Sequence, residues 1–111
     1  MKRRFRLTRS IDFQRVRRQG KSYAHPLLVL IALPNQKEIT RIGVTAGRAV
    51  GNAVQRNRAK RLIRSSFFPY LELVIPGWDI VLIARQKMKI ADYKQTQDSL
   101  HNLLERAKLV Q

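Results

Sequence analysis

Residues 51–64, Gly-Asn-Ala-Val-Gln-Arg-Asn-Arg-Ala-Lys-Arg-Leu-Ile-Arg, constrain the fold of this chain more than any other stretch. At about 100° per residue in a helix, Arg56, Asn57, Lys60, Arg61 and Arg64 fall within an arc of roughly 140°, with small Ala53 among them. Val54, Ala59, Leu62 and Ile63 occupy much of the remaining circumference, interrupted by Arg58. Such a helix has to bury one side against a core and hold its cations outward. No acidic residue lies between Glu38 and Glu72, so these cations lack a local partner, and Arg56, Lys60 and Arg64 repel one another at i, i+4 spacing. Solvated helix faces usually mix charges, so a single sign over this arc points to phosphate as the missing partner.

The rest of the composition agrees. With 111 residues and 44% hydrophobic content, the chain suits one domain around one modest core, here residues 1–111 with a basic N-terminal arm over 1–9. A net charge of +16, from 23 Lys and Arg against 7 Asp and Glu, attracts any polyanion, and binding to one should weaken steeply with salt. Charge alone does not separate RNA from DNA. The absence of cysteine excludes disulfides, thiolate zinc sites and cysteine catalysis. The basic start Met-Lys-Arg-Arg-Phe-Arg lacks the apolar run of a secretory signal, and no apolar run approaches the roughly 20 residues of a membrane span. The expected location is the cytoplasm, with no membrane association.

Along the chain, Ser10 can cap a short helix over 11–19 that ends at Gly20 as a left-handed C-terminal residue would. Residues 27–33 are apolar and branched, 34–37 read as a turn, and 40–46 alternate enough for a return strand, with a shorter strand over 21–24. Gly47 and Gly51 bracket a loop holding Arg48 before the basic helix, which weakens by Pro69. Residues 79–84 are apolar after Asp79, as in a strand covered on both faces. Asp92 can cap a last helix that buries Tyr93, Leu100, Leu103, Leu104 and Ala107.

The segment Ala-Val-Gln-Arg-Asn-Arg-Ala-Lys-Arg-Leu-Ile-Arg over 53–64, preceded by Gly51-Asn52, resembles the arginine-asparagine-arginine signature of the protein subunit of bacterial ribonuclease P. Residues 7–13, Ile42-Gly43-Val44 and Asp79 through Arg85 follow in the family's order, so nearly the whole chain is covered. The resemblance implies an α+β sandwich of order α-β-β-β-α-β-α, with a mixed four-stranded sheet of ribosomal-protein type. It also implies that the basic helix makes a left-handed crossover between parallel strands, where general packing rules favour a right-handed one. The implied role is to bind a large catalytic RNA and the 5′ leader of precursor transfer RNA, while that RNA and its magnesium ions cleave the phosphodiester bond. Arg48, Arg56, Arg58, Lys60, Arg61 and Arg64 are then candidates for the catalytic RNA, and Phe13, Arg17, Arg56 and Asn57 for the leader. Arg17 and Ile31 stand where several relatives carry aromatics, so leader binding here leans more on phosphate contact than on stacking.

Beside Ile11 and Val16, Phe13 fits core packing as well as base stacking, and Tyr23 is equally open, whereas Phe67, Phe68, Tyr70 and Trp78 read as packing residues at element ends. His25 and His101 are isolated, and the seven carboxylates are scattered, so no catalytic residue or protein metal site is assigned. Magnesium is expected to be held mainly by the partner RNA, and no obligate protein partner is expected. A ribosomal-protein-like RNA binder is the alternative that composition allows, and a nucleoid-type DNA binder lacks a supporting motif.

Overall fold

The computed structural model describes residues 2–110, which form α1 (Ser10–Gln19), β1 (Lys21–Ala24), β2 (Leu28–Pro34), β3 (Arg41–Ala46), α2 (Ala53–Phe67), β4 (Trp78–Ala84) and α3 (Tyr93–Arg106). This is the order α-β-β-β-α-β-α, and the sheet runs β1-β2-β4-β3. Strand β2 is antiparallel to both β1 and β4, whereas β3 and β4 are parallel, so the chain between them must cross over and does so through α2. The uninterrupted apolar run of β4 follows from its position: it has a strand on each side and helices on both faces.

Period-two alternation divides the strand residues between two cores. Leu28, Leu30, Ile42, Ile80 and Leu82 meet Ala59, Ile63 and Phe67 of α2 and Leu100, Leu103 and Leu104 of α3. On the other face Ile31 and Val81 meet Leu7 and Val16, with Phe13, Val29, Leu33 and Ile83 partly buried around them. Each fully buried Leu, Ile or Phe contributes about 1.5–3 kcal/mol relative to exposure. Leu7 extends the sheet: its N–H donates to the Ile42 carbonyl at 2.8 Å, and Arg6 bridges Ile42 in parallel, so the N-terminal arm lies along the edge strand β3. That contact covers part of an otherwise open strand edge.

The helix boundaries have local causes. Gly51, at φ +136, takes a conformation open to glycine, and a side chain there would also strike Gln55. Gln55 is folded back because it completes a capping box: its Oε1 accepts from Asn52 N–H at 2.8 Å, and Asn52 Oδ1 accepts from Gln55 N–H at 3.0 Å. Asp92 and Gln95 repeat the device at α3, where Asp92 had been expected as the cap. Gly20 differs from expectation. It is extended, at φ −77, and Ser10 is the first helical residue with no side-chain cap before it. A Cβ at Gly20 would lie 2.5 Å from the Val16 carbonyl and 2.7 Å from Ile31, so glycine is needed there for close approach of helix to sheet.

Three expected core residues are exposed: Val54 at 75%, Phe68 at 63% and Tyr93 at 43%. The buried stripe of α2 is Ala59, Ile63, Ser66 and Phe67, and Val54 stands on the opposite side of the circumference. Phe68 lies one residue beyond the last core position, Phe67.

A polar node joins α1 to the sheet. Asp79, with no exposed surface, sits opposite Arg41 in the β3–β4 register. Its carboxylate accepts from Arg41 Nε and Nη2 at 2.9 and 2.7 Å, from Arg15 Nη2 at 2.5 Å and from Asn35 Nδ2 at 2.9 Å. Burial pushes the Asp79 carboxyl pKa up, but the hydrogen bonds from Arg41, Asn35 and Arg15 outweigh burial and hold it below the ordinary value. A carboxyl with a depressed folded-state pKa stabilises the fold above its unfolded pKa, and that contribution is lost as pH falls through the folded value. Asp79→Asn is therefore expected to destabilise the protein by about 3 kcal/mol at neutral pH, in urea unfolding, with the gap to wild type closing on acidification below about pH 4. A gap that widens in acid would contradict this account of the node.

Candidate nucleic-acid interface

The buried stripe of α2 decides where its cations go. Arg56, Lys60 and Arg64 recur every fourth residue along one flank of the stripe and are half-buried. Successive members are about 6 Å apart along the axis. Asn57 and Arg61 point outward and are exposed. Arg58 falls on the other flank, where its Nη2 donates to the Ala91 carbonyl at 2.8 Å, just before α3. The polar arc expected from sequence thus divides into a flanking row and an outward pair, with Arg58 apart from it, as its position on the apolar side implied. Arg48 is exposed in the 3-10 turn Arg48–Val50 that leads into the helix, and Arg56 Nη1 donates to the Gly51 carbonyl at 3.3 Å, tying the row to that loop.

Arg64, at the C-terminal end of the row, faces β3 and the N-terminal arm across a groove. A recess of about 210 Å³ is lined by Arg6, Thr8, Phe13, Ile42, Val44 and Arg64. Phe13 seats its ring on β3 at Gly43, where an added Cβ would lie 2.5 Å from Phe13 Cζ, so any larger residue at Gly43 would displace the aromatic. The core reading of Phe13 holds, since it packs on the Leu7, Val16, Ile31 and Val81 core, and the same side chain also lines the groove. Ile31 is only 6% exposed and lies beneath the surface, whereas Arg17 is exposed one helical turn from Phe13.

Charge is unevenly neutralised. Among the described residues, ion pairs involve Arg15, Arg41, Lys94 and His101 and none of the α2 cations, Arg48 or Arg6. Burial lowers the Arg64 pKa and the nearby Arg6 guanidinium lowers it further. Two like charges therefore face each other across the groove, and an anion between them would remove the repulsion.

The chain matches the ribonuclease P family over residues 1–108. It belongs to the ribonuclease P protein family. The ribonuclease P protein component of Clostridium novyi is 40% identical over 111 residues, covering 98% of each chain, and that of Clostridioides difficile is 39% identical over 90% of this chain and 89% of its own. The solved RNase P protein of Staphylococcus aureus superposes with a TM-score of 0.87 at 34% identity, over 96% of this chain and 98% of that one. The RNase P protein of Thermotoga maritima gives 0.81 at 31% identity, over 91% and 96%.

In this ribonuclease P family chain, sequence reasoning located the basic helix and Phe13 but missed Arg6 as the residue facing Arg64. The alternation of exposed Arg6 with buried Leu7 was the available signal. It also missed that Arg15 and Arg41, two of the cations nearest Phe13's helix and strand, are taken up by Asp79. The geometry separates two kinds of arginine on one helix. Arg64→Ala is expected to lower the slope of log affinity against log salt by about one for structured RNA, as one phosphate contact is lost. Arg58→Ala is expected to change the slope less and to lower the melting temperature, through loss of its bond to Ala91. Equal slope losses in the two variants would contradict the assignment.

Proposed function

We propose that this chain is the protein component of a ribonuclease P ribonucleoprotein, acting as one RNA-binding domain in the cytoplasm. It binds the catalytic RNA subunit through Arg48, Arg56, Lys60, Arg61 and Arg64, with a smaller contribution from Arg58 on the other flank. It binds the 5′ leader of precursor transfer RNA along the groove beside Phe13, with Arg17, Arg56 and Asn57 contributing charge and an amide. The partner RNA carries the chemistry, and the protein assists removal of the leader. The observation that supports this reading most is the unneutralised row Arg56, Lys60 and Arg64, whose last member faces Arg6 and shares its groove with the half-buried ring of Phe13. Cations there hold phosphates, and the Phe13 ring offers an unpaired base a stacking surface that duplex nucleic acid would not use.

Magnesium, in this reading, belongs to the RNA. The described residues gather no group of three or more His, Asp or Glu side chains suited to a metal ion. Asp12 and Asp79, the carboxylates that share the α1 end of the sheet, are turned toward Arg15 and Arg41. The protein's own task is to neutralise and position phosphates, which lowers the cation concentration the assembly needs.

The test is cleavage of a 5′-extended precursor transfer RNA at low magnesium by a bacterial ribonuclease P RNA, with and without this protein, and by the protein alone. Stimulation only in combination is expected. Tight RNA binding without stimulation would overturn the proposal in favour of a structural RNA binder. Phe13→Ala is expected to weaken binding of a leader-bearing precursor by about tenfold, the lower-middle range for loss of one stacked base, and to leave a leaderless transfer RNA nearly unaffected. Equal losses on both, with the fold intact by circular dichroism, would place Phe13 in the core alone.

A further inference from the structure

Phe68 is 63% exposed at the C-terminal end of α2, on the first residue after the last buried turn. It forms the ridge between two recesses. One, of about 560 Å³, is lined by Arg6, Arg64, Ser65 and Phe68. The other, of about 450 Å³, is bordered by Phe5, Phe68, Pro69 and Leu71, with Lys2 and Arg4 at its rim. The first is a cationic cup and the second an aromatic and apolar slot, and they share one ring.

We propose that Phe68, with Phe5, Arg6 and Arg64, forms a subsite for one unpaired nucleotide of the bound RNA, its base on the Phe68 ring and its phosphate between Arg6 and Arg64. This rests on the RNA-binding reading above and deepens it by placing a second stacking point at the far end of the basic row from Arg56. An exposed phenyl ring has no hydrogen-bonding demand and gains by covering its apolar face, and every base offers a flat face to cover it. The rim fixes the chemistry of the occupant: Lys2, Arg4, Arg6 and Arg64 outnumber the one carboxylate, Glu72. A protein partner would need several carboxylates placed against those cations around one apolar side chain, whereas a nucleotide brings its own anion next to its flat face. Arg4 lies over the Phe5 ring at 4.7 Å from the centroid, so cations and aromatic faces are already interleaved on this surface.

The probes are a uridine pentanucleotide and a pentamer of the same phosphate number with abasic sugars, titrated into the full chain. Phe68 ring-proton resonances, assigned by their loss in Phe68→Leu, are expected to move with the uridine pentamer and to stay nearly fixed with the abasic one. Phe68→Leu keeps an apolar side chain at this exposed position without the flat ring, and is expected to lose about tenfold in pentamer affinity with an unchanged salt slope, while Phe68→Tyr retains affinity. Arg6→Ala should lower the slope by about 0.7, the value for one contact to a single strand. Binding of the uridine pentamer with Phe68 resonances unmoved, or equal affinity of wild type and Phe68→Leu, would overturn the subsite and leave the RNA-binding reading standing. No binding of either pentamer, together with no binding of ribonuclease P RNA, would overturn both.

Discussion

The carboxylate of Asp79 holds together the parts on which the proposed site depends. It is contributed by the central strand, and its partners come from α1, from β3 and from the turn between β2 and β3. Because Arg15 is fixed to it, α1 is set at a definite height on the sheet, and Phe13, on the same helix, is set over Gly43. Because Arg41 is fixed to it, β3 is pinned beside β4 at the same end. Breaking a buried pair leaves charges without partners, so the arrangement is strongly preferred over slipped alternatives. A groove wall is thereby built from an edge strand and a short helix held at a fixed relation to each other.

The same interaction sorts the charge of the molecule. Only seven carboxylates accompany 23 cationic side chains, and Asp79 with Asp12 consumes the neutralising capacity around α1 on Arg15 and Arg41. The α2 row receives none. A net charge of +16 opposes compaction, and Arg6 and Arg64 repel each other across the groove. A polyanion that binds only the folded protein both relieves this repulsion and stabilises the fold by mass action. Affinity for RNA and tolerance of so much positive charge are thus two aspects of one electrostatic arrangement.

Most of the architecture was legible in local patterns. The apolar run of β4 announced a central strand, Asp92 announced the start of α3, and the spacing of Leu100, Leu103 and Leu104 announced its buried side. What sequence could not supply was the direction in which each amphipathic surface meets its neighbours. Val54 belongs to the apolar arc of α2 by composition, yet the stripe that reaches the sheet is centred on Ala59 and Ile63, which leaves Val54 in solvent and turns Arg58 toward Ala91. Gly20 reads as a helix terminator, but its role is to let α1 approach Ile31 and the β2 backbone. The Asp79 node joins residues 64 and 38 positions apart, and no local periodicity encodes such a pairing. Within the candidate site, the α2 cations were marked by residue type and spacing and Phe13 by the family resemblance, while Arg6 and Phe68 came forward only from their placement.

The proposed docking surface for RNA lies between the N-terminal arm, α1, β3 and the α2 row. Chemical modification of arginine in the full chain, read by mass spectrometry with and without bound ribonuclease P RNA, tests it most directly. Protection of Arg6, Arg56, Arg61 and Arg64 is expected, with Arg106, which donates to Ala24 at the opposite β1 edge, remaining reactive. Protection of Arg106 while Arg6 and Arg64 stay reactive would contradict it.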